Sequence, residues 1–335
     1  MELPQGAQRI LDRLLHWGYP AQVVGGCVRD SLLGRSPHDW DICTAALPQQ
    51  VKDCFAGTGM RLLETGIRHG TVTLLADDGA YEVTTYRTDG DYLDHRHPGS
   101  VQFVSGIVDD LARRDFTINA MAYSPTDGLL DLFGGRQHLQ ERVLCCVGDP
   151  NLRFGEDALR ILRALRFAAT YGFTVEQNTA HAIRRNQQLL SHLSRERRNA
   201  ELLRLLCGSG AVEVVTEYFT VLEPYLPVIE PRQKSLCRWQ NRLGEGRLRW
   251  LLSLQNTPES RAALDCLDRV LTQQESRRQL SQLAVNGTDL RSIGIAPGAA
   301  LGAVLDCLLE AVAAGQLPND RQTLLNYAQN RGKTQ

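Results

Sequence analysis

The rhythm of hydrophobic and polar positions changes near the middle of the chain. Up to about residue 145, short β-branched runs alternate with turn residues. AQVVGG, WDICTA, GTVTLLA, YEVTTYR and SVQFV are predicted as strands. From Asn151 onward apolar residues recur at helical spacing in RFGEDALRILRALRFAATYGF, TAHAIRRNQQLLSHLS and ERRNAELLRLLCGSG, and no strand is expected. The expected fold class is therefore α+β, a mixed-sheet half followed by an all-helical half. Pro, Gly and Asn cluster at 148–155, 223–232 and 286–298, which marks these stretches as joints.

The segment VVGGCVRDSLLG reads as a strand, a Gly25-Gly26 turn and a helix of about two turns closed by Gly34. Backbone N–H groups at such a turn point at whatever sits before the helix, and Arg29, one turn in, adds a fork for phosphate oxygens. A tight connection with no ligand is the other reading. In HDWDICTAA, Asp39 and Asp41 are two apart in an expected strand, so both leave the same face. Such a pair suits Mg²⁺ and leaves coordination positions for nucleotide phosphates, with Glu82 of YEVTTYR as a third acid. Taken alone, the two aspartates are also compatible with a solvated strand edge.

One continuous helix is expected over GEDALRILRALRFAA. Ala158, Ile161, Leu162, Leu165, Ala168 and Ala169 form its buried face, and Glu156, Asp157, Arg160, Arg163 and Arg166 the opposite one. The polar face is either a solvated stripe with Glu156–Arg160 and Asp157–Arg160 pairs or a recognition surface. In the second reading, Asp157 and Arg160 at i, i+3 present an acceptor beside donors. That arrangement complements the amine and ring nitrogen of cytosine or adenine and mismatches guanine and uracil.

Composition narrows the class. With 335 residues, 43% hydrophobic and 22% charged, the chain suits a globular protein of two to four domains. The 37 Lys+Arg against 38 Asp+Glu exclude a wholly polybasic nucleic-acid binder, though all but three of those cations are arginine, the residue suited to bidentate phosphate recognition. Nine cysteines without a CxxC pair fit buried thiols in a reducing compartment, and the first twenty residues form a short charged amphipathic helix rather than a leader or span, so a cytoplasmic protein is expected. His95 and His97 have HxH spacing but lack a third zinc ligand and are read as loop surface.

The ordered motifs VGGCVRDSLLGRSPHDWDICTAA, EVTTYRTDGDYLDHRHPGSVQFV, DDLARRDFTINAMAYSPTDGLLDLFGG and FGEDALRILRALRFAATYGF resemble those of class II tRNA nucleotidyltransferases, the CCA-adding enzymes, and of the related bacterial poly(A) polymerases. The tail LAVNGTDLRSIGIAPGAALGAVLDCLLEAVAAGQLPNDRQTLL is similar too. The resemblance implies a polymerase-β-like head over 1–147, a neck over 148–210 that reads the base, a body over 211–285 and a tail over 286–335 that binds tRNA. It further implies Gly26 and Arg29 at the triphosphate, Asp39 and Asp41 on Mg²⁺ with Glu82 as third carboxylate, and Arg114 at the nucleotide. Asp157 and Arg160 become the base-reading pair, Arg163 and Arg166 further nucleotide contacts, and Arg113, Asp115 and Asn119 the ribose pocket.

The implied reaction is two-metal addition of CCA to the tRNA 3′ end from CTP and ATP, with release of pyrophosphate. The loop containing Asp94 and Arg96 argues against a CC-only enzyme. An A-adding enzyme, a poly(A) polymerase and a non-catalytic RNA-binding protein are the alternatives. Arg184, Arg185, Arg195, Arg197 and Arg198 are expected either to hold the acceptor arm by its phosphates or to form plain solvated surface.

Overall fold

The structure is a computed structural model describing residues 1–90, 100–255, 257–313 and 316–332. The expected loop residues Asp94, His95, Arg96 and His97 lie outside the described residues. The chain divides into two units, Met1–Leu226 and Pro227–Gln335. The division falls inside the proline-rich joint at 223–232.

In the first unit, helix α1 (Gln5–His16) is followed by β1 (Ala21–Val24), α2 (Gly26–Leu32), β2 (Trp40–Thr44) and α3 (Pro48–Phe55). Then come β3 (Arg61–Gly66), β4 (Thr71–Ala76), β5 (Gly79–Thr85), the short ribbon β6 (Arg87–Asp89) and β7 (Val101–Phe103), and α4 (Ile107–Ala112). Strands β8 (Met121–Ser124) and β9 (Gly128–Asp131), helix α5 (Gly135–Glu141) and the two-residue β10 (Val143–Leu144) complete the sheet half. Seven strands form one mixed sheet in the order β3-β4-β5-β2-β1-β8-β9, in which β2 and β5 run parallel. All five predicted runs are strands. The sequence reading passed over β3, whose register with β4 shifts between Leu63 and Gly66, and the short β6, β8, β9 and β10.

Register does the positioning. Antiparallel pairing sets Val24 opposite Asp41 on one side and opposite Ala122 on the other, so the Gly25-Gly26 turn leaves the sheet beside Asp41. Parallel pairing sets Asp41 opposite Glu82, which puts both on one face. Trp40 and Tyr81 pair on the other face, where Tyr81 is buried. Asp39 precedes the strand by one residue.

The helical part begins with α6 (Pro150–Glu156) and α7 (Leu159–Tyr171), followed by β11 (Thr174–Val175), α8 (Gln177–Arg185), α9 (Arg195–Leu206), α10 (Ala211–Glu217) and α11 (Phe219–Leu222). Two expectations are corrected. The continuous helix over 155–169 is two helices, because Asp157 takes an extended conformation and its Oδ1 accepts from Leu159 N at 3.0 Å, competing with the helical ladder. The second half is not free of strands, since β11 pairs with β10.

The second unit comprises α12 (Gln233–Leu243), α13 (Glu245–Gln255), α14 (Pro258–Leu280), α15 (Gly287–Ser292), α16 (Ala299–Ala313) and α17 (Arg321–Gly332). Leu290, Leu308, Leu324 and Ala328 lie in its buried core, and Asn286 caps α15 with reciprocal bonding to Asp289. Among the described residues no helix is long and apolar enough to cross a membrane.

Gly135 marks the tightest approach beneath the site. A Cβ there would stand 2.3 Å from the carbonyl oxygen of Thr117, in the single 3-10 turn Thr117–Asn119. Backbone cannot yield as a side-chain end does, so Gly135→Ala is expected to destabilise the first unit by about 1–3 kcal/mol. Urea unfolding checks this, and a midpoint equal to wild type would show that the contact relaxes freely.

Candidate active site

Buried acids organise the arginines of the segment DDLARRDFTINA. Asp110, on α4 and fully buried, accepts from Arg113 Nη2 at 2.6 Å and, through its other oxygen, from Arg114 Nη2 at 3.1 Å. These are the i, i+3 and i, i+4 partners on one helical path. Asp115 accepts from Phe116 N and Asn119 Nδ2 through one oxygen, and from Arg163 Nε and Nη2 at 2.8 and 2.6 Å through the other. Burial pushes both carboxyls up, but the facing guanidinium charges and hydrogen bonds outweigh it and hold each below the usual carboxylate range.

The glycine turn faces this cluster. Gly25 has φ of 77°, a backbone conformation that favours glycine, and a Cβ on it would press on the end of the Arg114 side chain at 2.9 Å. Gly26 begins α2 with room to spare: its Cβ would meet only Arg29 Nη2, at 3.6 Å. Arg29 is 7% exposed. It donates through Nη1 to Asn119 Oδ1 at 2.6 Å and through Nε and Nη2 to Asp30. Tyr171 on α7 donates to the same Asp30 at 2.9 Å.

Residue Arg160 departs from the solvated-stripe reading of its helix face. It is 8% exposed. Its Nη1 donates to Glu156 at 2.5 Å and to the Arg153 carbonyl, and its Nη2 to the Arg113 carbonyl. The break at Asp157 causes this, since it lets the guanidinium fold back across the end of α6. The expected Glu156–Arg160 pair is present, but Asp157 pairs instead with Arg197 on α9, at 3.5 Å. Arg166 donates to buried Glu201 of α9 at 2.6 Å, and burial holds the Arg166 pKa below its ordinary value despite that carboxylate.

These groups surround a cavity of about 580 Å³. Gly26, Arg29, Arg114, Asp157, Arg160, Arg163 and Arg166, all singled out in the sequence, line it together with Asp41. So do Arg113, Asp115 and Asn119. Sequence reasoning missed Leu159 and Phe167 as lining residues and assigned Arg197 to RNA phosphates instead of to this wall. It also missed Asp110 and Glu201 behind the wall. An acid three and four residues before an arginine pair was the available signal for Asp110, whereas nothing local announces Glu201. Asp39 and Glu82 are not among the lining residues. Of the other arginines proposed for RNA, Arg184 pairs with Glu217 and lies over the Tyr218 ring, and Arg198 lies over Tyr225.

The acidic side of the cavity suits a cation. Asp41 opens to solvent through the cavity mouth, yet packing against the turn desolvates it. That desolvation and the charge of Glu82 push its carboxyl up, Arg114 opposes them, and Asp39 adds to the rise. Asp41 feels both neighbouring carboxylates unfavourably, and carboxylate oxygens are the donor chemistry of a hard divalent ion. Among the described residues no three acidic, His or Cys side chains converge into a group that could hold a metal ion by itself. Cys27, beside Asp41, is pushed up to about 11 by burial and by that charge, so it stays a thiol at neutral pH.

Because the carboxyls of Asp110 and Asp115 are depressed in the fold, their stabilising effect is present above the unfolded carboxylate pKa. It disappears as pH falls through the lower folded value. Stability should therefore fall on acidification below about pH 4, and Asp115→Asn should flatten that limb while lowering neutral-pH stability by about 1–3 kcal/mol. Denaturant titrations at stepped pH check this, and parallel curves for the two proteins would remove Asp115 from the account.

The chain is similar to known proteins along most of its length. The family model "Poly A polymerase head domain" matches residues 21–145, that for the "Probable RNA and SrmB- binding site of polymerase A" matches 172–229, and that for tRNA nucleotidyltransferase domain 2 matches 248–328. The CCA-adding enzyme of Geobacillus sp. (strain WCH70) is 36% identical over 96% of this chain and 81% of its own length. That of Lactiplantibacillus plantarum is 35% identical over 97% of this chain and 95% of its own. The Bacillus stearothermophilus CCA-adding enzyme in complex with CTP superposes with a TM-score of 0.62 at 29% identity, covering 100% of this chain and 99% of that one. The Thermotoga maritima enzyme complexed with tRNA, at 21% identity and a TM-score of 0.63 over 97% and 95%, shares the fold. By these matches, and with its glycine turn, paired carboxylates and arginine-lined cavity in the order that the motifs predict, the chain belongs to the class II tRNA nucleotidyltransferases, the family of the CCA-adding enzymes.

Proposed function

We propose that the protein adds CCA to the 3′ end of tRNA from CTP and ATP, without a nucleic-acid template and with release of pyrophosphate. The observation that carries this reading is the single cavity in which seven arginines and the Gly25-Gly26 turn face Asp41. Asp157, just before α7, and Leu159 and Phe167 within it line the same cavity, where a base would lie against protein rather than against a template.

In this reading the turn and Arg29, Arg114, Arg163 and Arg166 hold the triphosphate, and Arg113, Asp115 and Asn119 shape the ribose pocket. Asp39 and Asp41 would hold Mg²⁺, with Glu82 next to Asp41 as a third carboxylate. When bound, the ion supplies charge neutralisation at the phosphates and a more acidic attacking 3′-hydroxyl. The arginines orient the α-phosphorus and stabilise negative charge that grows on the leaving pyrophosphate.

Asp157 and Arg160 are assigned to base reading. The Asp157 Oδ2 contact with Arg197, at 3.5 Å, is the longest ion pair on the cavity wall, so the amine of cytosine or adenine competes for it readily. Uracil and guanine place a carbonyl where that amine would be. We assign catalysis to a head over 1–147, base reading to a neck over 148–210 and tRNA binding to a tail over 286–335, with a helical body over 211–285 between neck and tail in the sequence.

The test is an assay with Mg²⁺ and each nucleotide on tRNAs ending at the discriminator base, at C and at CC. Addition of C, C and A with a stop is expected. A alone or a long A tail would assign another activity of the family, and no addition would overturn the reading. Asp41→Ala should lower kcat about a thousandfold or more with the fold intact, and near-normal turnover would remove it from metal binding. Asp157→Ala should relax discrimination against UTP and GTP more than it slows CTP addition, as measured by kcat/KM for the four nucleotides. Unchanged selectivity would take base reading away from that residue.

A further inference from the structure

The arginines of the cavity are anchored on different elements, yet three of them share one neighbour. The guanidinium carbons of Arg166, Arg29 and Arg163 stand 4.0, 5.1 and 5.4 Å from the centroid of the Phe167 ring. Arg29 comes from α2, and the other two from one and four residues earlier on α7. Phe167 is 4% exposed and reaches the cavity wall. Phe116 meets it in a T-shaped contact at 5.7 Å, and Tyr171 stacks against it at 6.0 Å.

Each of the three cations has its own acid: Asp30 for Arg29, Asp115 for Arg163 and Glu201 for Arg166. Those acids stand on separate segments, and each holds its own arginine from behind. Three guanidinium groups in one cavity repel one another. Beyond the carboxylates, an aliphatic side chain in their midst would add nothing against that repulsion, whereas the negative quadrupole of an aromatic ring attracts all three. Arg29 is also joined to Arg163 through Asn119 and Asp115 and lies over the Tyr171 ring, but Phe167 is the ring that the arginine of α2 shares with both arginines of α7.

We propose that Phe167 is a positioning residue that sets the spacing of Arg29, Arg163 and Arg166 for the triphosphate of the incoming nucleotide. The inference rests on the reading of the cavity as the nucleotide site. Because the triphosphate is common to CTP and ATP, the effect falls equally on both and leaves base selection alone.

The experiment incorporates mono-, di- and trifluorinated phenylalanine at position 167 of the full chain. This series withdraws charge from the ring face while keeping its shape, and Phe167→Leu removes the ring altogether. Thermal melts verify folding of each protein. KM for CTP and for ATP should rise together stepwise, to about tenfold for the trifluorinated ring. The fall in kcat should be smaller, and the ratio of CTP to UTP use unchanged. A flat KM across the fluorinated series in folded protein overturns the inference, as does a rise for one nucleotide only. A wild-type chain that binds neither CTP nor ATP in calorimetry overturns the cavity reading and this inference together, whereas wild-type binding with a flat series overturns the inference alone.

Discussion

Seven guanidinium groups around one cavity are tolerable only because each is tied to a carboxylate. Arg113 and Arg114 share Asp110, and Arg163 has Asp115. Arg160 has Glu156, Arg166 has Glu201, Arg29 has Asp30, and Arg197 has Asp157. Asp110, Glu156, Glu201 and Asp30 do not line the cavity; they stand behind the arginines that do. The result is a positive lining backed by a negative layer, and much of the local architecture follows from it. A buried charge without its partner costs several kcal/mol, so each pair fixes the elements that carry it. Asp115 binds the RRD segment to α7, Glu201 binds α9 to α7, and Asp30 receives both Arg29 and Tyr171.

The sheet supplies the opposing side. Its polarity places the strand end that releases the Gly25-Gly26 turn beside Asp41, and the bond from Gly25 N to the Met121 carbonyl joins that turn to the segment following Asn119. The glycine turn, Asp41 and the segment after Asn119 are thus brought together by backbone pairing alone.

How much of this was legible in the sequence depended on whether the cause was local. The glycine turn, the two-residue spacing of Asp39 and Asp41, and the α+β division are local patterns, and the structure has the expected strands and turn. Asp157 was legible as a polar residue near arginines but not as a helix breaker, because its capping bond to Leu159 competes with a ladder that the apolar period alone would continue. The burial of Arg160 follows from that break and was hidden with it. Glu201 reads as an ordinary acid on an amphipathic helix, and only the packing of α9 on α7 joins it to Arg166. The same packing brings Arg197 to the cavity wall instead of to a basic surface patch.

The parallel pairing of β2 with β5 has a consequence for the integrity of the molecule as it forms. Asp41 meets Glu82 only in one register. A slip of β5 by a single residue would turn Glu82 to the opposite face and present Val83 or Tyr81 in its place. Those two residues are buried, so the slip would also bring apolar groups to solvent and place a carboxylate in the core. The hydrophobic sorting that selects the fold is therefore the same event that sets the acidic pair, and a molecule that collapses in the wrong register is penalised thermodynamically before it can exist as a chemically defective copy.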